Sequence, residues 1–110
     1  MFSPRSTAGY REVVDKIKMK TICYGDHTLM AEFRLAAGAD LPVHRHPHEQ
    51  TGYLVAGRID LVIGDQTHVV RPGDSWCIPG DVPHRAYAHE DAIAIEVFTP
   101  VREDFLPDDQ

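Results

Sequence analysis

His44 and His46 are separated by a single residue, so on an extended segment both imidazoles leave the same face, about 7 Å apart at Cα. Two rings so placed can converge on one metal ion. Pro42 and Pro47 bracket the pair and hold the backbone extended, each fixing its own φ and restricting the residue before it. Gln50 follows Pro47 across an expected bend, where its amide oxygen can reach the same point. The chain has seven histidines in 110 residues, three of them (His44, His46 and His48) within five positions. His48 shares the parity of His44, but Pro47 interrupts the strand, which places His48 at the rim or behind the ligands. His27, His68 and His89 lie in or near turn-like contexts and read as surface.

The elements that must carry these side chains are short strands. Turn signals recur every seven to twelve residues: Gly25-Asp26, Ala37-Gly38, Gly57, Gly64-Asp65, Pro72-Gly73-Asp74, Pro79-Gly80-Asp81 and His89-Glu90-Asp91. Between them lie β-branched and aliphatic runs at residues 29–35, 53–56, 59–63, 68–70 and 93–98, several alternating at period two. Many short strands so spaced predict an all-β sandwich or closed barrel, in which closure removes exposed sheet edges. Residues 11–18 carry a weak helical signal and fit a first strand equally well. No internal repeat, low-complexity run or linker marks a second domain.

Composition narrows the function classes. Hydrophobic content of 43% and charged content of 25% are those of a globular chain. A formal charge of -6 leaves no cationic surplus to neutralise phosphates, so nucleic acid is not expected as a partner. No apolar run is long enough to span a membrane, and residues 1–10 lack the apolar centre of a signal peptide. A cytoplasmic location is therefore expected, with Cys23 and Cys77 as two reduced thiols.

At this spacing the sequence resembles the cupin superfamily, whose first motif is G-x5-H-x-H-x3,4-E-x6-G and whose second is G-x5-P-x-G-x2-H-x3-N. Gly38, His44, His46, Gln50 and Gly57 keep every interval of the first motif, and Gly73, Pro79 and His84 keep those of the second. The resemblance implies a small double-stranded β-helix, the cupin jelly-roll barrel. One such domain would span residues 1–110, with motifs at 38–57 and 73–84. It also implies one divalent metal ion held by His44, His46, Gln50 and His84. The sequence departs from the pattern in three places: Gln50 stands for the usual Glu, Asp81 for the second-motif Gly and Ala88 for the final Asn. The first departure alters the electrostatics. Three neutral imidazoles and a neutral amide leave the ion its full charge, which favours an anionic ligand and makes the ion a stronger Lewis acid. Imidazole suits Zn, Ni, Cu or Fe, and the amide oxygen is compatible with Mn, Co or Ni.

The C-terminal run Glu96-Val97-Phe98-Thr99-Pro100-Val101-Arg102-Glu103-Asp104-Phe105-Leu106 is similar to the tail D-x-F-x-P-x-R-E-D-F-L of the pectin-degradation cupins of the KdgF type. That resemblance implies linearisation of 4,5-unsaturated uronate monosaccharides to an open-chain keto sugar acid, with an acid and an arginine acting beside the metal. Carried over, the acid is Glu96, in place of the family's Asp, and the arginine is Arg102. Read without the family, Arg102 is a surface ion pair with Glu103 or Asp104. Alternation alone, with Ile93, Ile95 and Val97 on the more apolar face, would put Glu96 in solvent. Leu41 and Val43, opposite His44 and His46, raise the same conflict. A barrel with a polar lumen and an apolar outer face buried in a homodimer would resolve both. Gly52 marks either tight packing or room for substrate above the metal, and Trp76 and Tyr53 are candidates to line a cavity. The expected ligand is a small anionic molecule. A cupin dioxygenase and a non-catalytic binding module remain open beside the non-redox enzyme, since fold does not choose among them.

Overall fold

A computed structural model describes residues 1–107 of the chain, and ten strands run through them. They are β1 (Arg11–Val14), β2 (Ile17–Tyr24), β3 (Leu29–Leu35), β4 (Asp40–His44), β5 (Glu49–Ala56), β6 (Ile59–Ile63), β7 (Gln66–Val70), β8 (Ser75–Ile78), β9 (His84–Ala88) and β10 (Ala92–Thr99). A single 3-10 turn, Glu103–Phe105, follows. The strands form two sheets, one ordered β1-β2-β3-β10-β5-β8 and the other β4-β9-β6-β7. All the pairings are antiparallel. This is the expected all-β jelly roll, with its turns at the Gly, Pro and Asp clusters. Residues 11–18 are strand and hairpin rather than helix: β1 and β2 meet through Asp15-Lys16, and Lys16 takes a positive φ of 68°. Among the described residues no helix is long and apolar enough to cross a membrane. Cys23 and Cys77 are free thiols.

The direction of each face decides whether the site can exist. On β10 the lumen side carries Ala92, Ala94, Glu96 and Phe98, while Ile93, Ile95 and Val97 form the half-buried outer face. Glu96 therefore points inward, against the simple reading of apolar parity. A narrow barrel explains the inversion. Its interior has little room for branched side chains in every row, so Ala86, Ala88, Ala92 and Ala94 line it on β9 and β10 and the larger aliphatics of β10 face out. Tyr53 and Val55 on β5 also face out, about half exposed, so Tyr53 does not line the cavity.

Strand β4 departs from simple alternation. Its register against β9 pairs Leu41 with Ala86 and His44 with His84, one residue out of step, which is a β-bulge. The extra residue lets Leu41 and His44 share the lumen side, with Leu41 against the core, while Val43 is left 65% exposed. The expectation that Leu41 and Val43 lie together opposite the histidines is corrected for Leu41.

Apolar packing fills the barrel, with Ile17, Leu35, Leu54, Ile59, Leu61 and Ile78 at its centre. A second cluster, Met19, Leu29, Ala31 and Phe98, sits under the C-terminal turn with Phe105 and Leu106 packed on it. The β8–β9 turn is tied to the β4–β5 loop, because the Asp81 backbone N–H donates to the His46 carbonyl at 2.7 Å. Asp81 holds this position at a φ of +64°, which explains why the family motif has glycine there and why Asp, which tolerates the left-handed region, can replace it. Asp81→Gly should leave stability unchanged or slightly raised, and Asp81→Val should lower it by about 1–2 kcal/mol. Urea unfolding checks this, and equal stability of the two variants would refute it.

Candidate metal centre

Strand pairing brings two of the rings together, their planes tilted by 57°. His44 ends β4, His84 begins β9, and the two residues are directly paired, with ring centroids 4.2 Å apart. His46 enters from the loop after β4, and its ring lies 5.0 Å from that of His84 and 5.8 Å from that of His44. One nitrogen from each of the three rings falls within 4.8 Å of the others. Gln50 approaches from the opposite sheet, at the start of β5, and is buried. The centre thus straddles the seam between the two sheets.

Hydrogen bonds assign the protons. His44 Nδ1 lies 2.9 Å from the Pro42 carbonyl, His46 Nδ1 3.0 Å from the His48 carbonyl, and His84 Nδ1 2.9 Å from the Val82 carbonyl. A carbonyl only accepts, so each Nδ1 carries the hydrogen and, in a neutral ring, each Nε2 keeps a free lone pair. His46 and His84 are held in the neutral state. Burial first, and then the Arg102 charge, lowers the pKa of His46. Burial is also the largest effect on His84, pushing it down to about 4.

Two observations test whether these residues fit a cation. His84 Nε2 is buried without a hydrogen-bond partner, an expensive state for a polar atom unless something else satisfies it. Gln50 donates through Nε2 to Glu96 Oε1 at 2.9 Å, which turns its own Oε1 toward His46 Nε2 at 2.8 Å. With His46 neutral, those are two acceptors in contact with no proton between them. A divalent ion suits both the orphaned nitrogen and the paired acceptors, and the three imidazoles could hold one with Gln50 as a fourth ligand.

The remaining expected residues fall around this group. Glu96, on β10, is raised to a pKa of about 7 by burial, which outweighs its two hydrogen bonds. Its Oε1 also accepts from Trp76 Nε1 at 3.2 Å. Arg102 lies beside the centre and lines the same cavity as His44, Gln50, His84 and Glu96. It also makes the ion pair expected of a surface residue, since Nε and Nη2 reach the Asp104 carboxylate at 3.2 and 2.6 Å. Phe105 stacks on the guanidinium at 3.9 Å. Both readings of Arg102 therefore describe one arrangement, in which Asp104 and Phe105 hold the arginine against the cavity. His48 stands behind the ligands, supplying the carbonyl that orients His46. His27, His68 and His89 are on the surface, His89 in an ion pair with Asp60.

The cavity encloses about 220 Å³. Besides His44, Gln50, His84, Glu96 and Arg102, its lining includes the apolar residues Val13, Val14, Phe33, Leu41, Ile59 and Leu61. Trp76, a candidate from the sequence to line the cavity or to pack, does line it, but sequence reasoning missed its bond to Glu96. That bond depends on strand register, which residue types alone do not reveal.

With this geometry in place, the comparisons are specific. The family described as "Cupin domain" matches residues 31–99. The chain belongs to the cupin family. This cupin is 31% identical over 99 residues to the pectin degradation protein KdgF of Dickeya dadantii (strain 3937), covering 88% of this chain and 90% of that protein. Its fold is similar to the structure of KdgF from Halomonas sp., with a TM-score of 0.90, 27% identity and coverage of 96% and 98% of the two chains. A cupin from Shewanella frigidimarina NCIMB 400, described as RmlC-like, also matches with a TM-score of 0.90, at 28% identity and 96% and 95% coverage. The matched family region contains all four candidate ligands and Glu96, whereas Arg102 lies just beyond it.

Replacing His84 with alanine should remove stoichiometric binding of Zn or Ni, as measured by elemental analysis after desalting. A full equivalent retained by His84→Ala would refute this ligand set.

Proposed function

We infer that this cupin is a metal-dependent, non-redox enzyme that linearises a small enol acid, in the manner of a 4,5-unsaturated uronate monosaccharide opening to a keto sugar acid. One observation carries the reading. A half-buried carboxyl, Glu96, whose pKa is raised by burial, is hydrogen-bonded to the candidate ligand Gln50 and lines the same cavity as His44 and His84. A structural barrel has no need of a carboxyl there, because burying it is costly.

The reaction is an isomerisation. The proton on O1 leaves, the C1–O5 bond breaks to give an aldehyde, and C4 gains a proton as C5 becomes a ketone. The formula is unchanged and no oxidant is needed. Glu96 is the group placed to take the first proton and to deliver one to C4. Arg102 would hold the substrate carboxylate through Nη1, which takes no part in the pair with Asp104. Gln50 is kept with its carbonyl toward the histidines by its bond to Glu96. One divalent ion of the Zn, Ni, Mn, Co or Fe group would supply Lewis-acid stabilisation of the oxygen that gains charge.

The aliphatic wall of the cavity favours a second reading, in which the same chemistry acts on a less hydroxylated enol acid. A sugar hydroxyl buried against Val14, Phe33 or Leu61 would go unpaired, at about 1–3 kcal/mol each. Comparing kcat/KM for unsaturated galacturonate with that for an enol acid of equal length lacking the ring hydroxyls separates the two. The outer face of β10 and β5, with Tyr53, Val55, Ile93, Ile95 and Val97, supports pairing with a second copy of the chain. Sedimentation should accordingly give a dimer, and a monomer at micromolar concentration would remove that part of the reading.

With unsaturated galacturonate, metal-loaded protein should bleach the ultraviolet absorbance of the conjugated alkene. Glu96→Gln should lower kcat by about 100-fold or more while keeping its metal. Persistence of the absorbance with metal bound would overturn the uronate assignment.

A further inference from the structure

Gly52, Trp76 and Glu96 stand in one row across three neighbouring strands. Gly52 on β5 is paired with Trp76 on β8 on one side and with Glu96 on β10 on the other. Strands two places apart are separated by about 9.5 Å, too far for an ordinary cross-strand contact. The indole bridges that gap by lying across the glycine. A Cβ at position 52 would fall 2.2 Å from Trp76 Cε2 and 2.3 Å from Nε1, so no other residue leaves the ring where it is. The space above Gly52 is thus filled by Trp76 and is not room for substrate, which corrects one of the two meanings given to this glycine.

The consequence falls on the carboxyl. Glu96 Oε1 accepts from Trp76 Nε1 at 3.2 Å and from Gln50 Nε2 at 2.9 Å. These donors arrive from strands on the same side, and both engage the same oxygen. Oε2 takes part in neither bond. Glu96 also has one more methylene than the aspartate of the resembling tail, and with it an additional rotatable bond. A second donor removes the freedom that bond adds.

We propose that Trp76 is a positioning residue for Glu96, with Gly52 as the gap that lets its indole N–H reach across β5. Together they fix Oε1 and leave Oε2 as the oxygen that meets substrate. This rests on Glu96 being the proton-transferring group of the reaction above. It adds that the tryptophan acts only through that carboxyl, and that Gly52 is required for it to do so.

Trp76 is the only tryptophan in the chain, so its indole N–H gives a single, assignable proton–nitrogen resonance. In the metal-loaded protein that cross-peak should move on Glu96→Ala, and should move and broaden on Gly52→Ala. In turnover, Trp76→Phe, which keeps an aromatic ring and loses the N–H, should lower kcat about tenfold. KM should stay within about twofold and metal stoichiometry should be unchanged. Gly52→Ala should reproduce the kcat loss in a chain that still has its tryptophan, which separates loss of the bond from loss of the ring. An indole cross-peak that stays in place on Glu96→Ala overturns the proposal, as does a wild-type kcat in Trp76→Phe. If unsaturated uronates are not turned over at all, the reaction assignment fails, and the resonance alone still decides whether the bond exists.

Discussion

Three histidine rings in this barrel spend their Nδ1 hydrogens on main-chain carbonyls, and this constraint governs the rest of the site. Each carbonyl lies two residues from its histidine in sequence, on Pro42, His48 and Val82. Backbone that positions the ring therefore also selects its tautomer. The free lone pairs gather together, that of His84 without any hydrogen-bond partner, and Gln50 adds a further acceptor. Such a cluster is unfavourable by itself, and it makes chemical sense as a cation-binding centre. Gln50 is the joint of the arrangement, since its amide presents an acceptor to the histidines and a donor to Glu96.

The barrel sets this polar group directly against its apolar core. Ile78 pairs directly with Gln50, and Ile59 and Leu61 line the same cavity as His44, His84, Glu96 and Arg102. Alanines on β9 and β10 keep the lumen narrow enough to pack while leaving a cavity of about 220 Å³. Arg102 is braced by Asp104 and Phe105, so the 3-10 turn after β10 serves the site as well as the core beneath it.

Much of this was legible in the sequence. Turn residues marked the strand breaks, and the His-x-His pair between prolines marked the centre before any family was considered. His84, Glu96 and Arg102 were reachable only through resemblance, because nothing local distinguishes a ligand histidine at the start of β9 from one on the surface. Parity was misleading where geometry departs from an ideal strand. A bulge in β4 moved Leu41 to the lumen side, and the narrow interior of the barrel reversed the usual meaning of large and small residues on β10. The bond from Trp76 to Glu96 stayed hidden because it spans two strand spacings and exists only through the missing side chain of Gly52.

The placement of the centre at the seam between sheets reaches beyond chemistry. His44 and His84 belong to the four-stranded sheet, Gln50 to the six-stranded one, and His46 to the loop joining them. An ion held by all four would be a clasp that exists only in the native chain, and at a free concentration of 100 times its Kd it would add about 2.7 kcal/mol to folding. Removing such an ion would then withdraw that stabilisation from the junction of the two sheets and raise the population of open chain accessible to proteases.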